Sequence, residues 1–270
     1  MPRRQKRPQM PILLKTPAEI ETMRRASQIA VKTITAMVRA AGPGVTTLKL
    51  DHIAADTLAA HGATSALKNY PTYMPGQGYP RHTCISVNDQ VCNGVPGPRG
   101  LREGDILSLG VVAKTGGFCG SRTMMLGIGK ISNDAAHLID VADEALAIAI
   151  DEVRPTRKWS EIARMIQSHV ESNGMGVVRE FVGHGIGRQM LEDPKVCNFV
   201  SSEVVRGDFA LRPGMTITIQ PMITLGRREL MQRDDGFTVA TQDGKPAAHV
   251  THTIAVTQSG ADVLTAGTIA

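Results

Sequence analysis

The apolar positions along this chain repeat at two different spacings, and the change of spacing separates helical from extended stretches. Ile20, Met23, Ala26, Ile29 and Ala30 recur at helical intervals directly after Thr16-Pro17-Ala18-Glu19. That tetrapeptide predicts a capped helix start, with Thr16 at the N-cap, Pro17 at the first helical position and Glu19 reaching back. Gly42-Pro43-Gly44 ends this helix. A second one follows Thr46 or Thr47, with Leu50, Ile53, Ala54 and Leu58 on one face and Gly62 as its stop. Residues 63–103 are crowded with Pro and Gly, which predicts loops and short strands. A strand runs from Ile106 through Val112, and residues 133–152 and 160–173 predict two further helices. From residue 177 the pattern is extended: Val177-Val178, then Met215 to Met222, then Val250 to Val256. Strict alternation from Met215 puts Gln220 on the side of Thr216 and Thr218. With no internal repeat and no long linker, the pattern predicts one α+β domain over residues 12–270, preceded by a tail, residues 1–11.

Charge changes this picture only at that tail. The formal net charge is +5, and Arg3, Arg4, Lys6 and Arg7 supply four of it, which leaves 26 basic against 25 acidic residues in the body. A short, proline-containing basic segment predicts disorder and suits contact with RNA, a ribosome or an acidic surface, or simple solvation. Hydrophobic residues make up 42% of the chain and aromatics 3%, so the core must be built from Ile, Leu, Val, Met and Ala. No apolar run reaches membrane-spanning length. The N-terminus lacks the apolar stretch of a secretory signal. Cys84, Cys92, Cys119 and Cys197 form no CxxC pair, which predicts reduced thiols and a cytoplasmic location.

Six blocks in order carry a family resemblance. They are Lys15-Thr16-Pro17 with Glu19, Cys84-Ile85-Ser86-Val87-Asn88, Val91-Cys92-Asn93-Gly94-Val95-Pro96, Gly183-His184-Gly185-Ile186-Gly187-Arg188, Leu211-Arg212-Pro213-Gly214-Met215 running to Gln220-Pro221-Met222, and His252-Thr253-Ile254. Together, from about Ile12 to Leu264, they resemble the methionine aminopeptidases of peptidase family M24. The resemblance implies the pita-bread fold: two pseudo-symmetric halves, with a curved antiparallel sheet and helices on its outer face. It also implies two divalent metal ions held by two Asp, one His and two Glu. Carboxylates suit that task because they neutralise about four positive charges at close range, and the paired ions activate a water for attack on a peptide carbonyl.

Carried over residue by residue, the five ligand positions fall on Gly110, Ser121, His184, Gln220 and Thr251, so only the histidine is kept. Two further histidines that assist catalysis in the family fall on Asn93 and Leu191. One neutral imidazole cannot retain a dinuclear site against water, and the sequence predicts no metal or other cofactor here. Asp105, Glu192, Asp193, Asp234 and Asp235 lie off the ligand positions, with Glu192 and Asp193 expected in a loop after Leu191, and Arg122 beside Ser121 would bring positive charge towards the cavity. The resemblance places the pocket for the substrate's first side chain at Tyr79, Cys84 and Phe237, whose apolar or soft character suits a methionine-like group or plain packing equally. The insertion Thr72 to Gln77 falls at its rim.

Three functional readings fit these residues. In the first, the chain is a pseudoenzyme with a degenerate metal site that binds a protein, peptide or RNA through the cleft and the basic tail, with no membrane involved. In the second, it is a metal-independent enzyme using His184, with His252 or Cys119 as partners, on a small substrate. For Cys119 a small buried cysteine is the plainer reading, and for His184 a structural histidine fixed by its flanking glycines. In the third, it is a methionine aminopeptidase with unconventional ligands.

Overall fold

The computed structural model describes residues 11–71 and 78–267. The insertion Thr72 to Gln77 and all but the last residue of the basic tail lie outside them. Helix α1 spans Pro17–Ala40, and its start is the capping box expected from Thr16 and Glu19. Helix α2 spans Thr47–Ala60 behind an N-cap at Thr46. Ile34, Met37 and Leu50 on their inner faces pack with Leu107 and Leu109 from the long strand Ile106–Thr115. That strand pairs antiparallel with Cys84–Val87 and Thr64–Ser65 on one edge and with Phe118–Gly127 on the other. Gly116 and Gly117, both at positive φ, make the two-residue turn of this last hairpin. The paired glycines were its signal in the sequence, although mixed polarity from Ser121 to Thr123 hid the second strand.

The second half repeats the plan. Helices α3 (Asn133–Asp151) and α4 (Trp159–Ser172) bury Leu138, Ala142, Trp159 and Ile166 against Ile217, Ile219 and Ile254. The strands beneath them form an antiparallel sheet in the order Ala261–Val263, His252–Val256, Thr216–Ile219, Gly183–Gly185, Glu192–Val196. A short helix α5, Ser202–Arg206, connects these elements and carries no buried residue, which is why no apolar period announced it. Glu192 and its neighbours, expected in a loop, start a strand instead.

The strand expected from Met215 to Met222 is broken, and the one expected from Val250 to Val256 starts only at His252. Thr216–Ile219 stops at Gln220-Pro221, and Met222–Thr224 continues in a different sheet beside Ala247–His249. Proline 221 has no N–H to continue the ladder. Likewise the chain leaves Ala247–His249 and enters His252–Val256 across Val250 and Thr251. Gln220 and Thr251 therefore sit where the backbone changes sheets. The two halves of the molecule join beside them, through paired hydrogen bonds between Thr123 and Thr251 of 3.2 and 2.9 Å.

Among the described residues, no helix is long and apolar enough to cross a membrane.

Candidate functional site

The seam between the halves gathers the five positions singled out in the sequence. Gly110 pairs with Cys84 on one side and with Thr123 on the other. A Cβ at Gly110 would lie 3.3 Å from the Thr123 hydroxyl and 3.5 Å from the Cys84 Cβ, so these groups share one face. Ser121, two residues from Thr123, faces the same way, and its backbone N–H donates to the Thr253 hydroxyl at 2.9 Å. Thr251 lies opposite Thr123 across the joining bridge.

From Thr251 the polar contacts continue without a carboxylate. His249 brings Nε2 to 3.0 Å from the Thr251 hydroxyl and 3.3 Å from Gln220 Oε1. Gln220 Nε2 donates to the Thr218 hydroxyl at 2.8 Å, and Thr218 in turn contacts the backbone N–H and C=O of His184. Behind Gln220, buried Asn198 donates Nδ2 to the Gln220 carbonyl at 2.7 Å and fixes the bend. His249 and Asn198 did not stand out in the sequence, whereas alternation had already put Thr218 on the side of Gln220. Only the sheet switch turns His249 onto the face of Thr251, although its place two residues before Thr251 offered a signal through alternation.

His184 is held by its surroundings more than by its own bonds. A Cβ at Gly183 would lie 2.2 Å from the Thr218 carbonyl oxygen, and one at Gly185 would lie 2.1 Å from the Asp193 carbonyl oxygen. Only glycine lets the flanking strands approach so closely, which fixes the backbone from which His184 projects. Its Nδ1 faces the Gly185 carbonyl at 2.9 Å. Burial pushes the His184 imidazole down to about 4, against upward pulls from the Gly185 carbonyl and Glu192. Burial also pushes His249 down to about 4. Both rings are neutral at pH 7.

The other candidates are placed differently. His252 bonds through Nδ1 to the Thr265 hydroxyl at 2.7 Å, and alternation turns it away from Thr251. Burial, followed by the Arg122 charge, pushes it down to about 3. Arg122 lies on the face opposite Ser121 and donates to the Thr251 carbonyl at 3.1 Å. It therefore stands behind the cavity wall rather than inside it. Cys119 packs with Met23, Phe118, Ile186 and Leu264, and burial pushes its thiol up to about 11. It is a protonated core group, not an activated nucleophile. Asn93, at the position of one assisting histidine, adopts positive φ of 56°. Leu191, at the other, is half-buried just before the strand Glu192–Val196.

Tyr79, Cys84 and Phe237 come together beside Gly110. The Tyr79 and Phe237 rings meet edge-to-face, with centroids 5.6 Å apart. The Tyr79 hydroxyl points at the Thr83 and Gly94 carbonyls. Burial pushes the Cys84 thiol up to about 11, so this wall is neutral.

Nearby carboxylates are engaged elsewhere. Asp51 accepts from the backbone of His82 and Thr83 and from the Thr83 hydroxyl. Asp105 accepts from Asn88, Arg99 and the Arg102 backbone. Glu192 forms a buried ion pair with Lys15 at 2.5 Å. Asp235 accepts from Phe237 and Thr238 in its turn. Among the described residues, no group of three or more His, Cys, Asp or Glu side chains is placed to hold a metal ion.

The fold agrees with comparison to known proteins. The sequence model for metallopeptidase family M24 matches residues 21–258. The chain belongs to that family. It is 39% identical over 254 residues to a methionine aminopeptidase of Clostridium perfringens, covering 94% of this chain and 98% of that protein. It is 37% identical to methionine aminopeptidase 1 of Bacillus subtilis, covering 94% and 99%. Among solved structures, a methionine aminopeptidase from Rickettsia prowazekii superposes with a TM-score of 0.89 at 32% identity, over 95% of this chain and all of that one. A prolidase from Pyrococcus furiosus matches with a TM-score of 0.76 at 19% identity, which speaks for the pita-bread fold alone.

Proposed function

We propose that this family M24 member has given up two-metal peptide hydrolysis and keeps its cleft for binding. The observation that carries the reading is the neutral chain Thr251–His249–Gln220–Thr218, ending on the His184 backbone, across positions where the family resemblance implies metal ligands. Two divalent ions would need about four negative charges close by. The five positions offer one imidazole, one amide, two hydroxyls and a glycine. Hydroxyl and amide oxygens are weak, uncharged donors, and the neighbouring carboxylates already have partners. This donor set does not fit the ion pair.

The edge-to-face Tyr79–Phe237 contact, where the family resemblance places the pocket for the substrate's first side chain, suits a ligand whose first side chain is apolar or thioether-like. The chain is then a methionine aminopeptidase-like binding protein, in which Gly110, Ser121, Gln220 and Thr251 form the cleft floor and Tyr79, Cys84 and Phe237 form its side-chain pocket. Its four free thiols support a reducing compartment such as the cytoplasm. The relatives bear the aminopeptidase name, so the test is direct. The purified protein, supplied in turn with cobalt, manganese, iron and zinc, is incubated with a Met-Ala-Ser peptide. The reading expects no released methionine above the uncatalysed background. Release that a chelator abolishes would overturn it in favour of a working metallopeptidase. Release that survives the chelator but vanishes in His184→Ala would favour metal-free hydrolysis.

A further inference from the structure

The two faces of helix α3 differ sharply in character. The inner one buries Leu138, Val141, Ala142, Ala145 and Leu146. The outer one carries Asp140, Glu144 and Asp151, all exposed and spaced four and seven residues apart, so they form one stripe. The helix also holds Asp134 and Asp143, and neither Lys nor Arg. Asp140 stands three residues before Asp143 and four before Glu144, spacings at which like charges repel. Asp151 lies in the last turn, where the helix dipole disfavours an anion and no basic side chain offsets it. Glu144 approaches the His169 ring at 3.3 Å, and Asp143 feels the Arg122 charge. Among the described residues, Asp140 and Asp151 have no ion pair.

Cations are available at the same end of the molecule. The Lys15 N–H donates to the Gly214 carbonyl at 2.7 Å, and the Gly214 N–H to the Val256 carbonyl at 2.9 Å. The turn after Val256 brings Gly260 against the end of α3, where a Cβ on it would lie 3.6 Å from the Val153 carbonyl oxygen. Ile12 packs against the cluster that contains Ala149 and Val153. The described chain therefore begins near the Asp151 end of the helix. Residues 1–10, ahead of it, hold Arg3, Arg4, Lys6 and Arg7 and no acidic residue. Ten extended residues reach about 33 Å. Asp151 and Asp140 are about 17 Å apart along the helix axis.

We infer that the basic segment from Arg3 to Arg7 docks on the outer stripe of α3, with its cations against Asp140, Glu144 and Asp151. The acidic surface that suits the tail is then the chain's own, whatever the cleft binds. Exposed pairs of this kind are weak one by one and are screened by salt, so the contact is released at high ionic strength.

Carbodiimide cross-linking of the whole chain at low salt tests this, because it joins the Lys6 amine to a carboxylate in contact with it. Mass spectrometry should find Lys6 joined to Asp140, Glu144 or Asp151, with a yield that falls several-fold at about 0.5 M salt. Mixing isotopically heavy and light protein separates links within one chain, the expected result, from links between copies, which would overturn the inference in favour of self-association. Links chiefly to carboxylates outside α3 would overturn it as well. NMR decides the matter if no link forms. Deleting residues 1–9 should shift the amide signals of residues 137–151, and Asp140→Asn with Glu144→Gln should shift those of Lys6 and Arg7. Unmoved α3 signals would overturn the inference. Tail signals that ignore both substitutions but move on adding oligouridylate would overturn it in favour of a nucleic-acid contact.

Discussion

Two buried polar contacts flank the same cleft, and only one of them keeps its charges. Lys15 and Glu192 form an ion pair at 2.5 Å, each side chain only 6% exposed. The pair ties the segment before α1 to the strand that follows His184, and a Cβ at Gly187 would strike both side chains. Across the cleft, His249 stands 3.0 Å from the Thr251 hydroxyl and 3.3 Å from Gln220 Oε1, and all three groups are neutral. Charge survives where it fastens the chain and is absent where the family resemblance places metal ligands.

The sharpest way to break this comparison is at the ion pair. Lys15→Met strands the Glu192 carboxylate in the interior and should cost about 3–5 kcal/mol in urea unfolding. The double variant Lys15→Met with Glu192→Leu should recover most of that loss, because neither charge is then left alone. A single variant as stable as the native protein would show that the pair is not a fastening. In the neutral network, Gln220→Met removes hydrogen bonds without stranding a charge. It should cost about 1–3 kcal/mol, less than Lys15→Met in the same experiment. Equal losses would erase the distinction between the two contacts. Phe237→Ala deletes the edge-to-face partner of Tyr79 and should cost about 1 kcal/mol beyond its lost area, seen as a small shift of the unfolding midpoint.

The smallest effect near neutrality comes from protons. His184 and His249 have folded values of about 4 and His252 of about 3, all below their ordinary 6.5. Below 6.5 the unfolded chain therefore binds protons that the folded chain does not. Stability contributed by the neutral rings is complete above 6.5 and is lost as pH falls towards 4, and towards 3 for His252. Denaturation midpoints should be flat from pH 8 to 7 and fall increasingly below 6. Replacing His249 with Gln should flatten part of that fall, and an unchanged slope would contradict the burial of this ring.

Much of the fold was legible because its signals are local. The Thr16 and Glu19 capping box, the Gly42-Pro43-Gly44 stop and the apolar face of α3 each depend on residues close in sequence. The family blocks then supplied the long-range plan, including the meeting of Gly110, Ser121, Gln220 and Thr251. What stayed hidden depends on chain paths that change direction. His249 reads as an ordinary strand-end residue until the chain leaves its sheet at Val250. Arg122 reads as a neighbour of Ser121 until strand alternation turns it to the opposite face. Glu192 reads as a free loop carboxylate until Lys15, 177 positions away, is folded onto it.

A neutral cleft floor should have no affinity for paired divalent ions. The most direct test is metal stoichiometry: the protein is equilibrated with excess manganese or cobalt, desalted and analysed by elemental mass spectrometry, alongside a crystal measured at the metal's absorption edge. The expected result is metal far below one ion per chain and no anomalous peak between His184, Gln220 and Thr251. Two ions per chain with a peak at that place would contradict it.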